Sequence, residues 1–214
     1  MSVNKKIERK KILDAVTRKD IIDAVAATLI NEGMQGFTMD KVATAAGVAK
    51  GTLYTHFKNK DEAIEVTMDS IVEPLIEQLD AIVTSNIPPS HKLTRYSALS
   101  FTFFDDNRDL FRVILYDRGQ AHAPKQRFHD SRYWSFVQKL ANIFEEGVRE
   151  GDFLPLPALK IAAMFIDANL SVVMQRLANK ITGNIQEDVS LVTGVFFRGI
   201  GNRDNESKKS GCEN

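Results

Sequence analysis

The residues whose types and spacing point most sharply to chemistry lie in one short run, K-G-T-L-Y-T-H-F from Lys50 to Phe57. As a helix of about two turns it places Leu53 and Phe57, at i and i+4, on its inner side. Lys50, Gly51, Thr52, Tyr54, Thr55 and His56 then lie outward or on the flanks. The outward set offers hydrogen-bond donors and a cation and contains no carboxylate, an inventory that suits phosphate oxygens and base edges. A helix this short buries too little to exist for stability alone. For Tyr54 and His56, packing within the domain is the alternative reading.

There is no H-E-x-x-H, C-x-x-C or G-x-S-x-G. Gly47-Val48-Ala49-Lys50-Gly51-Thr52 only superficially resembles a phosphate loop, because it lacks the G-K-[ST] order and a preceding strand. His56, His91, His122 and His129 are scattered with no cysteine near them, so no metal site, cofactor or catalytic residue is assigned. Asp105/Asp106 and Glu145/Glu146 are neighbours in sequence, point in different directions on a helix, and read as solvated surface.

The elements around Lys50–Phe57 are equally legible. Thr38 is a good N-cap, with Asp40 in the first turn, where a carboxylate suits the positive helix end. Val42, Ala43 and Ala46 share a face. Gly47 stands where the chain must reverse, a position that favours a residue free to adopt positive φ. Asn59 and Glu62 form a capping pattern for the next helix. Two short helices folded over a glycine turn make a helix-turn-helix. Before them, Thr17 and Asp20 form a weaker capping pattern for a helix with Ile21, Ile22, Val25, Leu29 and Ile30 on one stripe, ended by Gly33 and Gly36.

Formal net charge is zero over 214 residues, but residues 1–60 hold eleven Lys/Arg against six Asp/Glu, and the remainder carries the compensating negative excess. A basic head on an acidic body suits a chain that reads DNA with one end. Residues 1–16, with Lys5, Lys6, Arg9, Lys10 and Lys11, are either a disordered tail or an arm that orders against the DNA backbone or minor groove. The single cysteine, Cys212, permits no internal disulfide. The start lacks a secretory signal, and no apolar run reaches the roughly eighteen residues of a spanning helix, so the expectation is a cytoplasmic protein without a membrane partner.

From residue 60 onward the apolar periodicity is helical and no strand-like alternation of useful length appears. A fourth helix from Lys60 to about Thr84 should set Ile64, Met68, Ile71, Leu75 and Leu79 inward, with a kink or break at Pro74. Ile87-Pro88-Pro89-Ser90 stops it. Further helices are expected over about Ser90–Phe104, from Asn107 as cap to Tyr116, and over His129–Glu150, with Arg118–Pro124 as loop. The eighth, Ala158–Lys180, is apolar nearly all round, and the ninth, Ile185–Ile200, mixes apolar positions. A helix apolar on two faces must bury both, so these two suit an interface with a twin chain about a two-fold axis, or else pack wholly inside a monomer. The organisation is an all-α chain of about nine helices: arm 1–16, helix-turn-helix domain 17–60, larger helical domain 61–201, and a polar, disordered tail 202–214.

At Thr17–Gly33 and again at F-T-M-D-K-V-A-T-A-A-G-V-A-K-G-T-L-Y-T-H-F-K-N-K-D-E-A the chain resembles the TetR-like one-component transcriptional regulators. The resemblance covers about fifty residues, and its G-T-L-Y-x-H-F-x-N-K core is highly specific. One position departs from the pattern: the family usually has Ser or Thr just before the recognition helix, and here Ala49 removes that cap. The resemblance implies a homodimer on a pseudo-palindromic operator, with the fourth helix joining the two domains. By resemblance and outward position, Lys50, Gly51, Thr52 and Thr55 approach bases, while Thr38, Tyr54, His56 and Lys60 hold phosphates.

The larger domain is then expected to house a small, mostly apolar effector. Candidate lining residues are Tyr96, Phe104, Phe111, Trp134, Met164 and Phe165, with Arg112, Asp167 and Asn169 as polar anchors; plain core packing is the alternative for each. Asp167 is the sharpest, as a carboxylate amid Ile166, Ala168 and Leu170 needs water, a partner or a ligand. The expected function is a ligand-responsive repressor. An activator, a ligand-independent regulator, or a helical carrier or small enzyme for apolar ligands are the alternatives.

Overall fold

The computed structural model describes residues 2–116, 132–178 and 183–201, with side chains of 18–115, 133–178 and 183–201. Among them are nine helices and no strand: α1 Ser2–Gly36, α2 Met39–Ala45, α3 Lys50–His56, α4 Lys60–Thr84, α5 Pro89–Asp106, α6 Arg108–Tyr116, α7 Arg132–Arg149, α8 Ala158–Leu177 and α9 Ile185–Ile200. The expected Arg118–Pro124 loop, His122, His129, Cys212 and the 202–214 tail lie outside the described residues, as do the side chains of the basic arm.

The chain forms two compact units. One comprises Met1–Pro74 with Asp109–Ala121; the other comprises Leu75–Arg108 with His122–Asn214. The division falls at Pro74, inside α4. α4 is assigned as one helix through that proline. Proline contributes no N–H to the ladder, which makes this its weakest turn.

In the amino-terminal unit α1 is already helical from Ser2, so Thr17 and Asp20 do not mark its start. Gly33 breaks it with φ 67°, a left-handed value that glycine adopts without strain. The buried stripe is Ile21, Ala24, Val25, Thr28 and Leu29. Ile22 is only half-buried and Ile30 is exposed, because they stand one position off the stripe. On α4, Ile64, Met68, Leu75 and Leu79 are buried as the spacing requires, while Val72 takes the place expected of Ile71.

In the larger unit α5 is the central helix, packed on α7, α8 and α9. Asn107 closes α5 and does not open α6: its side-chain amide donates to the Phe103 carbonyl at 2.9 Å. Two buried cations fix the arrangement. The Lys92 ammonium has three donors and meets three acceptors, both Glu146 oxygens at 2.8 and 2.7 Å and the Val83 carbonyl at 3.1 Å. Arg176 on α8 donates to Asp105 at the end of α5, to Asp188 in the first turn of α9, and to the Gly183 carbonyl. By length and composition α8 could cross a membrane. Its Asn169 and Arg176, however, are buried among protein groups, which marks it as a core helix here.

Breaking a buried ion pair from one side leaves a buried charge without compensation. Arg176→Met should therefore destabilise the larger unit by about 3–5 kcal/mol, read as a lower urea midpoint. Arg176 holds the Asp105 carboxyl below the ordinary range, against burial, with Arg108 adding to the effect. A depressed folded pKa contributes stability that is complete above the unfolded value and lost as pH falls through the folded one. The penalty of the substitution should accordingly shrink in acid.

Candidate functional site

The chain reverses between α2 and α3 at Gly47, whose φ of 66° is left-handed. Leu53 and Phe57 of α3 are fully buried, so the inner side is the expected one. Arg18 of α1 lies over the Phe57 ring at 5.7 Å, adding a cation–π contact to the packing. On the other side Lys50, Gly51, Tyr54 and Thr55 are exposed and Thr52 and His56 half-exposed. The Thr55 hydroxyl donates to the Thr52 carbonyl at 2.6 Å, and the His56 ring stands 6.4 Å from that of Phe57. α3 has no side-chain cap at Ala49. Its first N–H groups are left for another acceptor.

Thr38 caps α2, its hydroxyl oxygen accepting from the Lys41 N–H at 3.3 Å. It is exposed, and its own O–H is left to donate. Asn59 caps α4, accepting from the Glu62 N–H at 2.9 Å. The Glu62 carboxylate closes back on the Lys58 N–H, one residue before the cap, a box offset by one position.

Lys60 requires a correction. Its ammonium donates to the Met34 carbonyl at 2.7 Å and the Phe37 carbonyl at 3.2 Å, and lies 5.2 Å from the centre of the Phe37 ring. It closes the carbonyl end of α1 and is not presented as a free cation. Spacing places it at a helix start, but the carbonyls it satisfies are far away in sequence.

Gly51 is informative for the opposite reason. It is helical and exposed, and a Cβ built on it would meet nothing within 4 Å. The fold does not require glycine there, and in a helix it costs up to about 1 kcal/mol against alanine. An exposed Gly51 leaves room for something outside the chain to come close to the backbone.

Asp40 is more than a helix-end charge. In the structure it pairs with Lys50 at 2.6 Å, and that hydrogen bond raises the Lys50 pKa. The partners lie on different helices, so no local spacing announced the pair.

The effector candidates divide. Tyr96 and Phe165 are buried with rings 5.8 Å apart, and Asn169 is buried on the next turn of α8. Phe104 is half-buried. Met164 is 58% exposed and Trp134 53% exposed, so neither lines the interior. On α8 the inner face is Ala162, Phe165, Ile166, Asn169, Val172 and Val173, and Met164 falls on the outer side with Lys160, Asp167 and Ser171. Asp167 is therefore exposed, solvated, and accepts from the Tyr133 hydroxyl at 3.2 Å. The buried polar residues of α8 are Asn169 and Arg176. Phe111, buried, and Arg112, exposed, belong to the amino-terminal unit.

Residues 21–71 match the family model for bacterial regulatory proteins of the tetR family. Over that stretch the chain carries the amino-terminal domain of the TetR-like transcriptional regulators. A transcriptional repressor of Mycolicibacterium smegmatis, KstR2, is 28% identical over 142 residues, 65% of this chain and 69% of that one. The fatty acid metabolism regulator protein of Bacillus subtilis is 24% identical over 132 residues, 62% of this chain and 68% of the other. These relatives are regulators of transcription. Among solved structures, FadR from Bacillus subtilis in complex with stearoyl-CoA superposes with TM-score 0.74 at 21% identity, covering 85% of this chain and 98% of that one. A SmeT–triclosan complex gives 0.72 at 18%, covering 88% and 93%. At that identity the structural likeness is one of fold.

In this TetR-like chain, Gly51→Ala should raise or preserve thermal stability and weaken DNA binding by about tenfold or more. Unchanged binding would remove the close-approach argument. Lys60→Met should lose about 1.5–3 kcal/mol of stability, the scale of a hydrogen bond to a charged group. Its salt dependence of DNA binding should match wild type.

Proposed function

We propose that two copies of this chain bind a pseudo-palindromic operator as a repressor, and that a small, mostly apolar effector held in the larger unit releases them. The observation that carries the proposal is α3 itself: anchored by two buried side chains, it presents Lys50, Gly51, Thr52, Tyr54 and Thr55 outward. Lys50 and Thr55 approach base edges, Gly51 lets the backbone come close, and Thr38, Tyr54 and His56 hold phosphates. Repression is supported by the name of the Mycolicibacterium relative, and an effector by the ligands in the FadR and SmeT structures. The operator places the protein in the cytoplasm, and no enzymatic activity is part of this reading.

The homodimer is supported by α8 and α9, which touch each other and leave Leu159, Met164, Leu170, Leu191 and Val195 exposed. Leu191 and Val195 are 61% and 63% exposed and stand at i and i+4 on one stripe of α9. A self-complementary patch about a two-fold axis would bury them.

The direct test is a mobility shift on the DNA upstream of its own gene, with and without candidate effectors. Retardation that falls steeply with salt is expected. Salt-insensitive or negligible binding would overturn the reading. Lys50→Ala should weaken binding and relax base preference at one position in each half-site. Leu191→Asp with Val195→Asp should yield a monomer in sedimentation and weaken operator binding by about a hundredfold.

A further inference from the structure

We infer that Asp40 is a specificity-determining residue of the DNA-reading surface: paired with Lys50, it keeps that ammonium for a base edge and turns it away from phosphates. This rests on the reading of α3 as the helix that meets DNA, and gives a positioning role to a residue of α2.

The fold does not depend on this pair. Asp40 stands in the first turn of α2 and Lys50 opens α3, so the Gly47 reversal brings the carboxylate to 2.6 Å from the ammonium. Both side chains are well exposed, and an ion pair between exposed groups adds little to stability. Each helix is anchored without it. Met39, Val42 and Ala43 are buried on α2, and Leu53 is buried on α3 with Phe57 at its end. Lys41 and Lys60 show the contrast, because both donate to backbone carbonyls around the end of α1. The partner of Lys50 is a carboxylate instead.

That carboxylate changes what the ammonium can do. A lysine has three donors. With one given to Asp40, two remain, and a guanine edge offers two acceptors, O6 and N7. Reading a guanine therefore does not require Asp40 to leave. A phosphate is different, because beside Asp40 it sets one negative charge against another. To reach Lys50 without that repulsion it must take Asp40's place, and exchanging one exposed anion for another returns little. An unpaired lysine, by contrast, gains from any phosphate it meets through release of counterions, whatever the sequence. Asp40 thus removes the sequence-independent part of the attraction and leaves the base-edge part. Discrimination by a repulsive element is a difference of affinities, not a gain in either. The outward residues Gly51, Thr52, Tyr54, Thr55 and His56 carry no carboxylate, so none of them duplicates Asp40.

The test measures binding of the full chain to two duplexes of equal length, the DNA upstream of its own gene and a scrambled duplex of the same composition. Asp40→Asn keeps the size of an exposed side chain and removes its charge. It should tighten binding to the scrambled duplex and cut the preference for the upstream DNA by about tenfold. The salt dependence on the scrambled duplex should steepen by about one unit of log–log slope. Loss of any carboxylate near DNA would tighten binding to both duplexes alike, so the preference is the readout that isolates the pair. Asp40→Glu, which keeps the charge, should hold the preference within about threefold of wild type. In a Lys50→Met background, Asp40→Asn should leave the preference unchanged, because there is no pair left to break. An undiminished preference in Asp40→Asn, or the same loss with Lys50 absent, would overturn the inference while wild-type retardation leaves the regulator reading standing. A wild-type chain with no preference for the upstream DNA removes that reading instead, and this inference with it.

Discussion

A seven-residue helix has no stability of its own, since nucleation costs more than so few hydrogen bonds return. α3 exists because Leu53 and Phe57 are buried in the amino-terminal unit and Arg18 lies over the Phe57 ring. Every functional statement about the outward residues depends on that anchorage. It fixes the rotation of α3 about its own axis, and rotation decides which side chains meet water or DNA. With no side-chain cap at Ala49, little else holds the first turn. The Gly47 reversal and the two buried anchors carry the orientation between them.

Burial and partner geometry, more than residue type, sort the lysines into scaffold and surface. Lys92 has every donor satisfied inside the larger unit, and Lys60 closes the carbonyl end of α1. Lys41 does similar work, donating to the Gly36 carbonyl at 3.1 Å and pairing with Glu32. Lys50 is different. Its pairing with Asp40 is between two well-exposed groups, worth little in water and easily exchanged. A phosphate or a guanine edge can displace Asp40 from Lys50 at small cost, whereas nothing displaces Glu146 from Lys92. Asp40 also sets a negative charge beside α3, which would penalise indiscriminate phosphate binding more than a contact made at one geometry.

Local features were legible in the sequence. Thr38 as cap, Gly47 at positive φ, Asn59 with Glu62, and the inward pair Leu53 and Phe57 each follow from interactions within four or five residues, and the structure shows each of them. Long-range partners were not legible. Lys60 finds Met34 and Phe37, Lys92 finds Glu146, and Arg176 finds Asp105, across separations that no spacing rule covers. The effector candidates show the same boundary in miniature. Asp167 and Asn169 sit two positions apart on α8, and an all-round apolar helix does not say which side is inward. Packing on α5 decides it, burying the amide and leaving the carboxylate in water.

An effector acts on DNA binding only if it binds one arrangement of the chain more tightly than another. The described chain crosses between the two units at Pro74–Leu75 within α4 and at Arg108–Asp109 at the start of α6. The first crossing has a backbone hydrogen bond missing, so α4 bends there more cheaply than elsewhere. The second is tied to α8: Asp105 accepts from Arg108 at 2.9 Å and from Arg176 at 2.5 Å. Arg176 lies two turns of α8 beyond Asn169, on the same buried face. A shift of α8 along its axis would have to loosen one of the arginine's carboxylates or carry the start of α6 with it.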